Sequence, residues 1–328
     1  MQQPWLSILV PVFNVAPYLE ACLKSITQDY MQGVEIIAVD DASTDNSLTI
    51  LQDFASTTTY PFKVLKHATH LSVSASRNTL LNPASGNYIW FVDSDDALTA
   101  NAVQRARAIV DQHAPDLILC DFFVWRETTT FKHKLRGELH KRTFNGEPYR
   151  LSTDADTLFK GAFTQGQFHL WSKIAKRRLW GDDLRFPVGR LMEDLAISPL
   201  LLLRAVNYIY VPEVWVAYRQ RPGSILATPN PKRLQDSISA LEGILEPWLE
   251  KHPNLSASAR FAFTYFCAKI FVSVARRLAK VRTHENTIQN HYKQDFLRIT
   301  QSSYWFTCCE YLKRGWLLRA LRFITHIK

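Results

Sequence analysis

Short apolar runs alternate with amphipathic segments through the N-terminal third of the chain. Continuous runs are typical of strands buried on both faces of a parallel sheet, and they cover residues 6–13, 34–39, 62–65 and 88–92. Between these runs, apolar residues recur at helical spacing over 18–26, 48–54 and 72–81. This regular order of strand and helix predicts a doubly wound α/β sheet.

The remainder of the chain is less regular. By the same criteria we predict helices over residues 97–111 and 195–206, strands over 117–125 and 208–218, and an exposed hairpin over the polar segment 128–146. After residue 229 the pattern is helical, and residues 261–278 and 304–328 combine aromatic with basic side chains. Such amphipathic helices can lie in a membrane interface, although a buried lid or a dimer interface also fits them.

Carboxylates follow two of the predicted strands at the point where each strand ends. Asp40 and Asp41 follow the second strand, and Asp93, Asp95 and Asp96 follow the run that ends at Val92. The carboxyl ends of parallel strands meet at one edge of a sheet, where ligands bind in open α/β folds. The sequence therefore predicts a ligand site at this edge.

Buried carboxylates need a compensating positive charge. The basic residues nearest to residues 93–96 along the chain are Arg77 and Arg105, so we predict a divalent cation, which takes hard oxygen ligands. A solvated turn with Asp96 as a helix cap is the simpler alternative. Asp40 and Asp41 precede Ser-Thr-Asp, a good capping sequence, so we expect one of the pair to cap a helix and the other to bind ligand.

Charge is distributed unevenly along the 328 residues, which carry a net charge of +9. Residues 1–228 contain 23 basic and 23 acidic side chains, whereas residues 229–328 contain 16 and 7. A neutral body with a basic tail predicts an anionic partner at one end, and we predict a membrane surface rather than a nucleic acid. The five cysteines lack metal-ligand spacing, and the N-terminus lacks a signal sequence, which predicts a cytoplasmic setting.

Five motifs occur in order along the chain: residues 7–14 (SILVPVFN), 39–45 (VDDASTD), 76–78 (SRN), 86–96 (GNYIWFVDSDD) and 192–194 (MED). Together they resemble an inverting family 2 glycosyltransferase with the GT-A fold. Residues 171–173 (WSK) and 218–225 (YRQRPGSI) resemble bacterial members that build capsule, lipopolysaccharide or lipooligosaccharide. The resemblance covers roughly residues 5–225, and no glycine-rich dinucleotide or phosphate-binding loop competes with it.

The resemblance implies a mixed, doubly wound GT-A sheet in a catalytic domain over residues 1–228. Residues 1–100 would form its nucleotide-binding half and 101–228 its acceptor-binding half, followed by a basic helical region over 229–328. The implied reaction moves a hexose or N-acetylhexosamine from a UDP-sugar to a saccharide or glycolipid hydroxyl with inversion, giving a β-linkage. Mn²⁺ or Mg²⁺ is the implied cofactor, and the cytoplasmic face of the inner membrane is the expected location. A binding module without turnover is the alternative.

The resemblance also implies roles for single residues on the donor side. Pro11, Phe13 and Asp41 would line the nucleotide pocket beside Asp40, with Asp41 accepting a hydrogen bond from the uracil ring. Arg77 would approach the nucleotide or the donor sugar.

The segment from Asp93 to Asp95 would be the DXD element, with Asp95 on the metal and Asp93 on the metal or the ribose. Asp96 would reach the donor sugar.

On the acceptor side, Asp194 would be the catalytic base, with Glu193 beside it, and Arg219 or Arg221 would meet the leaving diphosphate. Charge at a helix N-terminus is the simpler account of Glu193 and Asp194, and plain surface charge is the simpler account of the two arginines. We expect Trp171 to be a packing residue, and the scattered histidines (His67, His70, His113 and His169) to be ordinary surface or loop residues.

Two departures from the resemblance are visible in the sequence. Related sequences often have glycine where Ala42 stands, and the glycine-containing turn expected before Arg77 is absent from residues 70–76. The second departure leaves the geometry of Arg77 open.

Overall fold

The computed structural model describes residues 3–29, 32–126, 128–220, 231–278 and 285–327. Within these ranges the strands are β1 (Leu6–Val12), β2 (Val34–Asp40), β3 (Phe62–Lys66), β4 (Tyr88–Phe91), β5 (Ala97–Leu98), β6 (Leu117–Trp125), β7 (Lys173–Lys176) and β8 (Tyr208–Arg219). They form one mixed sheet in the order β3-β2-β1-β4-β7-β6-β8-β5. The predicted mixed α/β sheet is confirmed.

The helices within the described ranges fall into two groups. The first group is α1 (Ala16–Thr27), α2 (Ser47–Thr57), α3 (Val73–Leu81), α4 (Ala102–His113), α5 (Phe131–Leu135), α6 (Ala155–Gln165) and α7 (Glu193–Arg204). The C-terminal group is α8 (Pro231–Ser239), α9 (Leu245–Lys251), α10 (Ala257–Leu278), α11 (Glu285–Thr300), α12 (Tyr304–Lys313) and α13 (Leu317–Ile327).

The N-terminal half of the sheet is parallel, and the other half is mixed. β1 pairs in parallel with β2 and β4, and β2 pairs in parallel with β3. β7 is antiparallel to both β4 and β6, whereas β8 runs parallel to β6. β1 tolerates Pro11 because its ladder with β4 ends at Leu9, so the missing amide hydrogen faces no neighbouring strand on that side.

Two segments differ from their predictions. Ala97 and Leu98 form β5, which pairs with the distal part of β8, so the helix predicted from residue 97 begins only at Ala102. The predicted hairpin over 128–146 is wrong. This segment contains the short helix α5 and a single bridge from Lys141 to Phe122 of β6. Its alternation reflects an extended segment lying along β6 rather than two paired strands.

The tail completes the core on one face of the sheet. One continuous cluster of buried residues joins Leu9 and Phe91 of the sheet to Phe163 of α6, Phe263 of α10 and Phe323 of α13. The Trp248 indole also donates a hydrogen bond to the carbonyl of Pro199 in α7, at 3.0 Å. The C-terminal helices therefore share a hydrophobic core with the sheet.

The prediction that residues 261–278 lie in a membrane interface is not supported. Within the described residues, Ala257–Arg277 is long and apolar enough to cross a membrane, but 56% of its apolar window is buried inside the protein. Phe263 and Phe266 pack against α6, with the Phe163 and Phe263 ring centroids 5.0 Å apart. The pattern is that of a core helix, in which aromatic side chains fill space rather than face lipid.

The turn before α3 is strained. Ser72 has a φ of 105°, a conformation that favours glycine. This is the segment where the resemblance leads one to expect glycine. The backbone amides of Leu71 and Ser72 each donate to the Asp41 carboxylate at 2.9 Å, and these bonds hold the turn in place.

We expect Ser72→Gly to raise the free energy of unfolding by about 1 kcal/mol, because glycine adopts this φ without steric cost. Ser72→Ala is the matched control. The serine hydroxyl has no hydrogen-bond partner, so alanine removes it while keeping the strain and should gain little. Denaturant unfolding of the three proteins tests this, and equal stability of the glycine and alanine variants would contradict it.

Candidate active site

The Arg77 guanidinium brings three carboxylates together at the carboxyl edge of the sheet. Its Nη1 donates to Glu193 at 2.7 Å and to Asp194 at 2.6 Å, and its Nη2 donates to Asp93 at 2.9 Å. Only 2% of the Arg77 side chain is exposed. The cluster therefore joins residues that lie more than one hundred positions apart in sequence.

Three secondary-structure elements place these groups. Arg77 lies in α3, Asp93 follows β4 directly, and Glu193 and Asp194 occupy the first turn of α7. Met192 precedes α7 with a left-handed φ of 65°, and the helix N-terminus favours ionised carboxylates. The prediction of a cation as the local partner of Asp93 set Arg77 aside because it is sixteen residues away in sequence, but Arg77 is in direct contact with Asp93.

Burial sets the electrostatics of the cluster. It raises the pKa of Asp93 and of Glu193, and the neighbouring charge of Asp194 raises both further, against the opposing effect of Arg77. Burial alone would lower the pKa of Arg77, but the three carboxylates outweigh it and raise that pKa. Arg77 also lies 5.5 Å from the ring centroid of Phe186. It is a permanently charged group held by its partners.

The predicted DXD segment is tied to the end of β8. The Asp96 carboxylate is fully buried and accepts from the backbone amide of Arg219 at 2.8 Å. The Arg219 Nε donates to the carbonyl of Asp95 at 2.8 Å, and its guanidinium lies 3.6 Å from the ring centroid of Trp125. A contact between Asp96 and a donor sugar stays a prediction. Arg219 stands beside the DXD segment, whereas Arg221 lies outside the described residues.

These carboxylates suit a cation shared with a substrate rather than a closed metal cage. Burial and the charges of Asp93 and Asp95 raise the pKa of Asp96 well above its usual range, and one Asp96 oxygen is buried without a partner. Within the described residues, no cluster of three or more potential ligands forms a ready-made metal site. Mg²⁺ needs only one or two carboxylates when substrate phosphates complete its shell, so Asp93 and Asp95 fit such a site.

Asp41 is a bracing residue in this structure. Its two oxygens accept from the amides of Leu71 and Ser72 and face the Nδ1 atoms of His67, at 2.6 Å, and His70, at 2.8 Å. Burial opposes ionisation, but the bonds from His67 and the two amides lower the pKa of Asp41. A uracil ring would have to replace one of these donors, so the predicted uracil contact stays a prediction.

The other nucleotide-pocket candidates occupy different environments. The Phe13 ring is exposed and stacks on His70 with ring centroids 3.9 Å apart, whereas Pro11 is buried within β1. Asp40 is buried, and one of its oxygens accepts from the amide of Ser43 at 3.2 Å. His67 and His70 lie in the loop after β3, as expected, and both also contact Asp41.

An aromatic wall stands beside the candidate base. His169 stacks on Trp171 with ring centroids 4.6 Å apart, and Trp171 stacks on Tyr218 at 5.6 Å. The His169 Nδ1 lies 4.0 Å from the second Asp194 oxygen, and burial lowers the pKa of His169 to about 4. Trp171 is buried, which agrees with packing. His169 was missed as a site residue.

Lys173 is a second group that sequence reasoning left without a role. It is buried, its ammonium donates to the carbonyls of Gln167 and His169, and burial lowers its pKa to about 8. The spacing of His169, Trp171 and Lys173 could have indicated their role. They occupy alternate positions in one segment, so a site that includes Trp171 is expected to include the other two.

Comparison with known proteins identifies relatives of the chain. A model described as "Glycosyl transferase family 2" matches residues 7–173. "Glycosyltransferase GlyA" of Streptococcus pneumoniae is 28% identical over 72% of this chain, but the match spans only 33% of GlyA. "Processive diacylglycerol beta-glycosyltransferase" of Mycoplasma pneumoniae is 24% identical over 89% of this chain and 88% of its own length.

Solved structures share the fold at low sequence identity. S. aureus TarS 1–349 with UDP covers 98% of this chain and 88% of its own, at 19% identity and a TM-score of 0.72. The mannosyltransferase PcManGT from Pyrobaculum calidifontis, in complex with GDP-Man and Mn²⁺, covers 99% and 86% at 15% identity and a TM-score of 0.55. The predicted GT-A-like mixed sheet followed by C-terminal helices is confirmed.

We expect Arg77→Met to lower the free energy of unfolding by about 3–5 kcal/mol at neutral pH, because it leaves three clustered carboxylates uncompensated. A carboxyl whose folded pKa is raised contributes stability at low pH that is lost as pH rises through that pKa. The pKa values of Asp93 and Glu193 are already raised and will rise further without Arg77. The loss should therefore shrink as the pH falls from about 7 to about 5.

Arg150→Met is the matched control, because Arg150 forms an exposed ion pair with Glu147, a kind that contributes little. Denaturant unfolding over the pH series measures both variants. A loss at Arg77 that is small, or that does not change with pH, would show that the cluster is not held by this charge.

Proposed function

Because the chain belongs to glycosyl transferase family 2, we propose that it is an inverting transferase that moves a hexose or N-acetylhexosamine from a UDP-sugar to a saccharide or glycolipid hydroxyl. One observation carries the proposal. Arg77 joins Asp93 of the DXD segment to Asp194 through bonds of 2.9 and 2.6 Å. A donor-binding element and a candidate base therefore meet at one point, which a displacement reaction requires.

Asp194 is the group best suited to remove the acceptor proton. Arg77 binds one of its oxygens, while the second faces His169 and the amide of Leu170 at 3.4 Å. In the proposed step, the acceptor oxygen forms a bond to the anomeric carbon, and the bond from that carbon to the diphosphate oxygen breaks. The hydroxyl proton passes to Asp194, and one such displacement inverts the anomeric centre.

Arg77 and Arg219 have different roles in the proposal. Arg77 orients Asp194 through its Nη1 bond and carries a permanent positive charge. Arg219 is held against the ring of Trp125 and beside Asp95, where its charge would stabilise the departing diphosphate. We retain Arg221 as a second candidate for that role.

Asp93 and Asp95 would hold Mn²⁺ or Mg²⁺ together with diphosphate oxygens. When bound, the cation supplies positive charge that offsets the charge developing on the leaving group. The complex of PcManGT with Mn²⁺ supports this proposal by similarity of fold.

UDP is the proposed nucleotide, and TarS supports it, because its solved structures include complexes with UDP and UDP-GlcNAc. The exposed Phe13 ring offers a face for the base, in line with its predicted place in the nucleotide pocket.

We further propose an acceptor that belongs to a bacterial surface glycan or glycolipid, made at the cytoplasmic face of the inner membrane. Two relatives support a membrane acceptor by name, a diacylglycerol glycosyltransferase and the "Cholesterol galactosyltransferase" of Borreliella burgdorferi. The alignment with the first extends into the basic C-terminal helices, since it takes in 89% of this chain.

We expect Asp194→Asn to lower the rate of sugar transfer by about 10²- to 10⁴-fold, the contribution of a positioned base. Binding of the donor should persist, measured as the rise in melting temperature that a UDP-sugar produces. Asp183→Asn is the matched control, because Asp183 pairs with Arg204 away from the site. If the Asp194 and Asp183 variants transfer sugar equally well, Asp194 is not the base.

Release of UDP distinguishes an enzyme from a binding module without turnover. We expect the wild type to release UDP from one member of a panel of UDP-sugars in the presence of Mn²⁺, and Asp95→Asn or chelation of the cation to slow this strongly. A donor that raises the melting temperature without any UDP release in the wild type, even with candidate acceptors, would favour the binding module.

A further inference from the structure

A basic cavity of about 480 Å³ lies between α10 and the C-terminal helices α12 and α13. Its lining includes five positive side chains, three from α10 and two from α13: Lys269, Arg276, Arg277, Arg319 and Arg322. Aromatic rings form part of its wall. The Lys269 ammonium lies 4.9 Å from the ring centroid of Tyr265, and the Arg319 guanidinium lies 5.3 Å from the same ring.

These five charges have no carboxylate to balance them within the described part of the chain. Among the described acidic side chains of the C-terminal helices, Asp295 and Glu242 pair with Arg298, and Glu310 pairs with Lys313 and Arg314. Burial lowers the pKa of Lys269, and the positive charge of Arg319 lowers it further. Like charges held together in a concave site favour binding of an anion.

An exposed apolar ridge borders this cavity. It is formed by side chains of α12 and α13 that lie largely in solvent: Trp305, Phe306, Leu312, Leu317, Leu318 and Leu321. α12 and α13 pack against each other, so these exposed apolar side chains lie on neighbouring helices. Large exposed apolar side chains gathered in this way mark an interaction site.

The ridge and the cavity occupy adjacent faces of α13. At about 100° per residue, Leu317, Leu318 and Leu321 fall on one side of the helix, and Arg319 and Arg322 fall on the next. Ala320, Phe323 and Ile327 form the third side, which is buried. A helix with a solvent-exposed apolar side flanked by basic residues fits a membrane interface, where the apolar side enters the acyl region and the basic side meets the headgroups.

We propose that the cavity binds the phosphate of an anionic phospholipid while the apolar ridge inserts beside it. The proposal rests on the proposed function, which puts the acceptor at the membrane, and deepens it by naming the surface that docks there and the lipid group that it binds. Charge complementarity identifies the ligand as an anion, because five basic side chains line the cavity. The apolar surface beside the cavity suits the acyl chains of a lipid.

Cosedimentation with vesicles tests the proposal on the full chain. The wild type should bind vesicles of phosphatidylcholine mixed with phosphatidylglycerol, and bind phosphatidylcholine alone far less. Replacing Lys269, Arg319 and Arg322 with glutamine should weaken binding by about 100-fold, or about fivefold for each side chain. Arg276→Gln with Arg277→Gln alters the same cavity from α10 and should weaken binding as well.

The matched control replaces Lys63, Lys66 and Lys132 with glutamine. These exposed lysines lie outside the cavity, so the net charge changes equally while the cavity stays intact. The control should bind anionic vesicles as the wild type does. If it loses affinity as much as the cavity variant, attraction to the whole protein's charge explains binding, and the proposal is wrong.

Two further measurements separate other occupants. The triple variant Leu317→Ser, Leu318→Ser and Leu321→Ser should no longer bind vesicles. It should keep any rise in melting temperature that inorganic phosphate produces. If inorganic phosphate raises the melting temperature of the wild type but the wild type does not bind vesicles, the ligand is a free phosphorylated compound. If the protein dimerises through the ridge, the partner is a second copy of this chain. Either result overturns the lipid proposal. Vesicle binding in a wild type that never releases UDP would reject only the proposed function.

Discussion

Three carboxylates that share one buried arginine are the constraint on which this structure depends. Asp93, Glu193 and Asp194 come from the end of a strand and the start of a helix, and their partly buried side chains could not lie so close together without a fixed positive charge. Arg77 supplies that charge permanently, because a guanidinium stays protonated in proteins. The same interaction that stabilises the fold therefore sets the geometry at which a donor and a base would meet.

The position of Arg77 depends in turn on a fourth carboxylate. Asp41, at the end of β2, binds the amides of the strained turn that begins α3, and α3 carries Arg77. One buried aspartate thus holds the backbone that presents the arginine to its three carboxylate partners. The strained backbone at Ser72 persists because the hydrogen bonds to Asp41 hold the turn in place. Strained backbone of this kind is common at active sites.

The sequence predicted the parallel half of the sheet well, because buried strands leave continuous apolar runs and the helices between them keep their period. It also located both acidic segments. It could not reveal that Arg77 joins Asp93 to Glu193 and Asp194, since the contact with Glu193 spans 116 residues and depends on how α3 and α7 meet. The segment 128–146 alternates like a hairpin although it only lies along β6, and the aromatic residues of α10 looked interfacial although they fill the core. The local pattern of apolar and polar residues does not show whether a side chain packs against the protein core, another strand or a membrane.

The shared core also bears on how the protein is made. Phe323 of α13 belongs to the same buried cluster as Leu9 of β1. One face of the sheet therefore stays uncovered until α13 has been synthesised, and exposed apolar surface of this kind makes a partly made chain prone to aggregation. The core of the sheet is complete only when helices from the other end of the described chain pack on it.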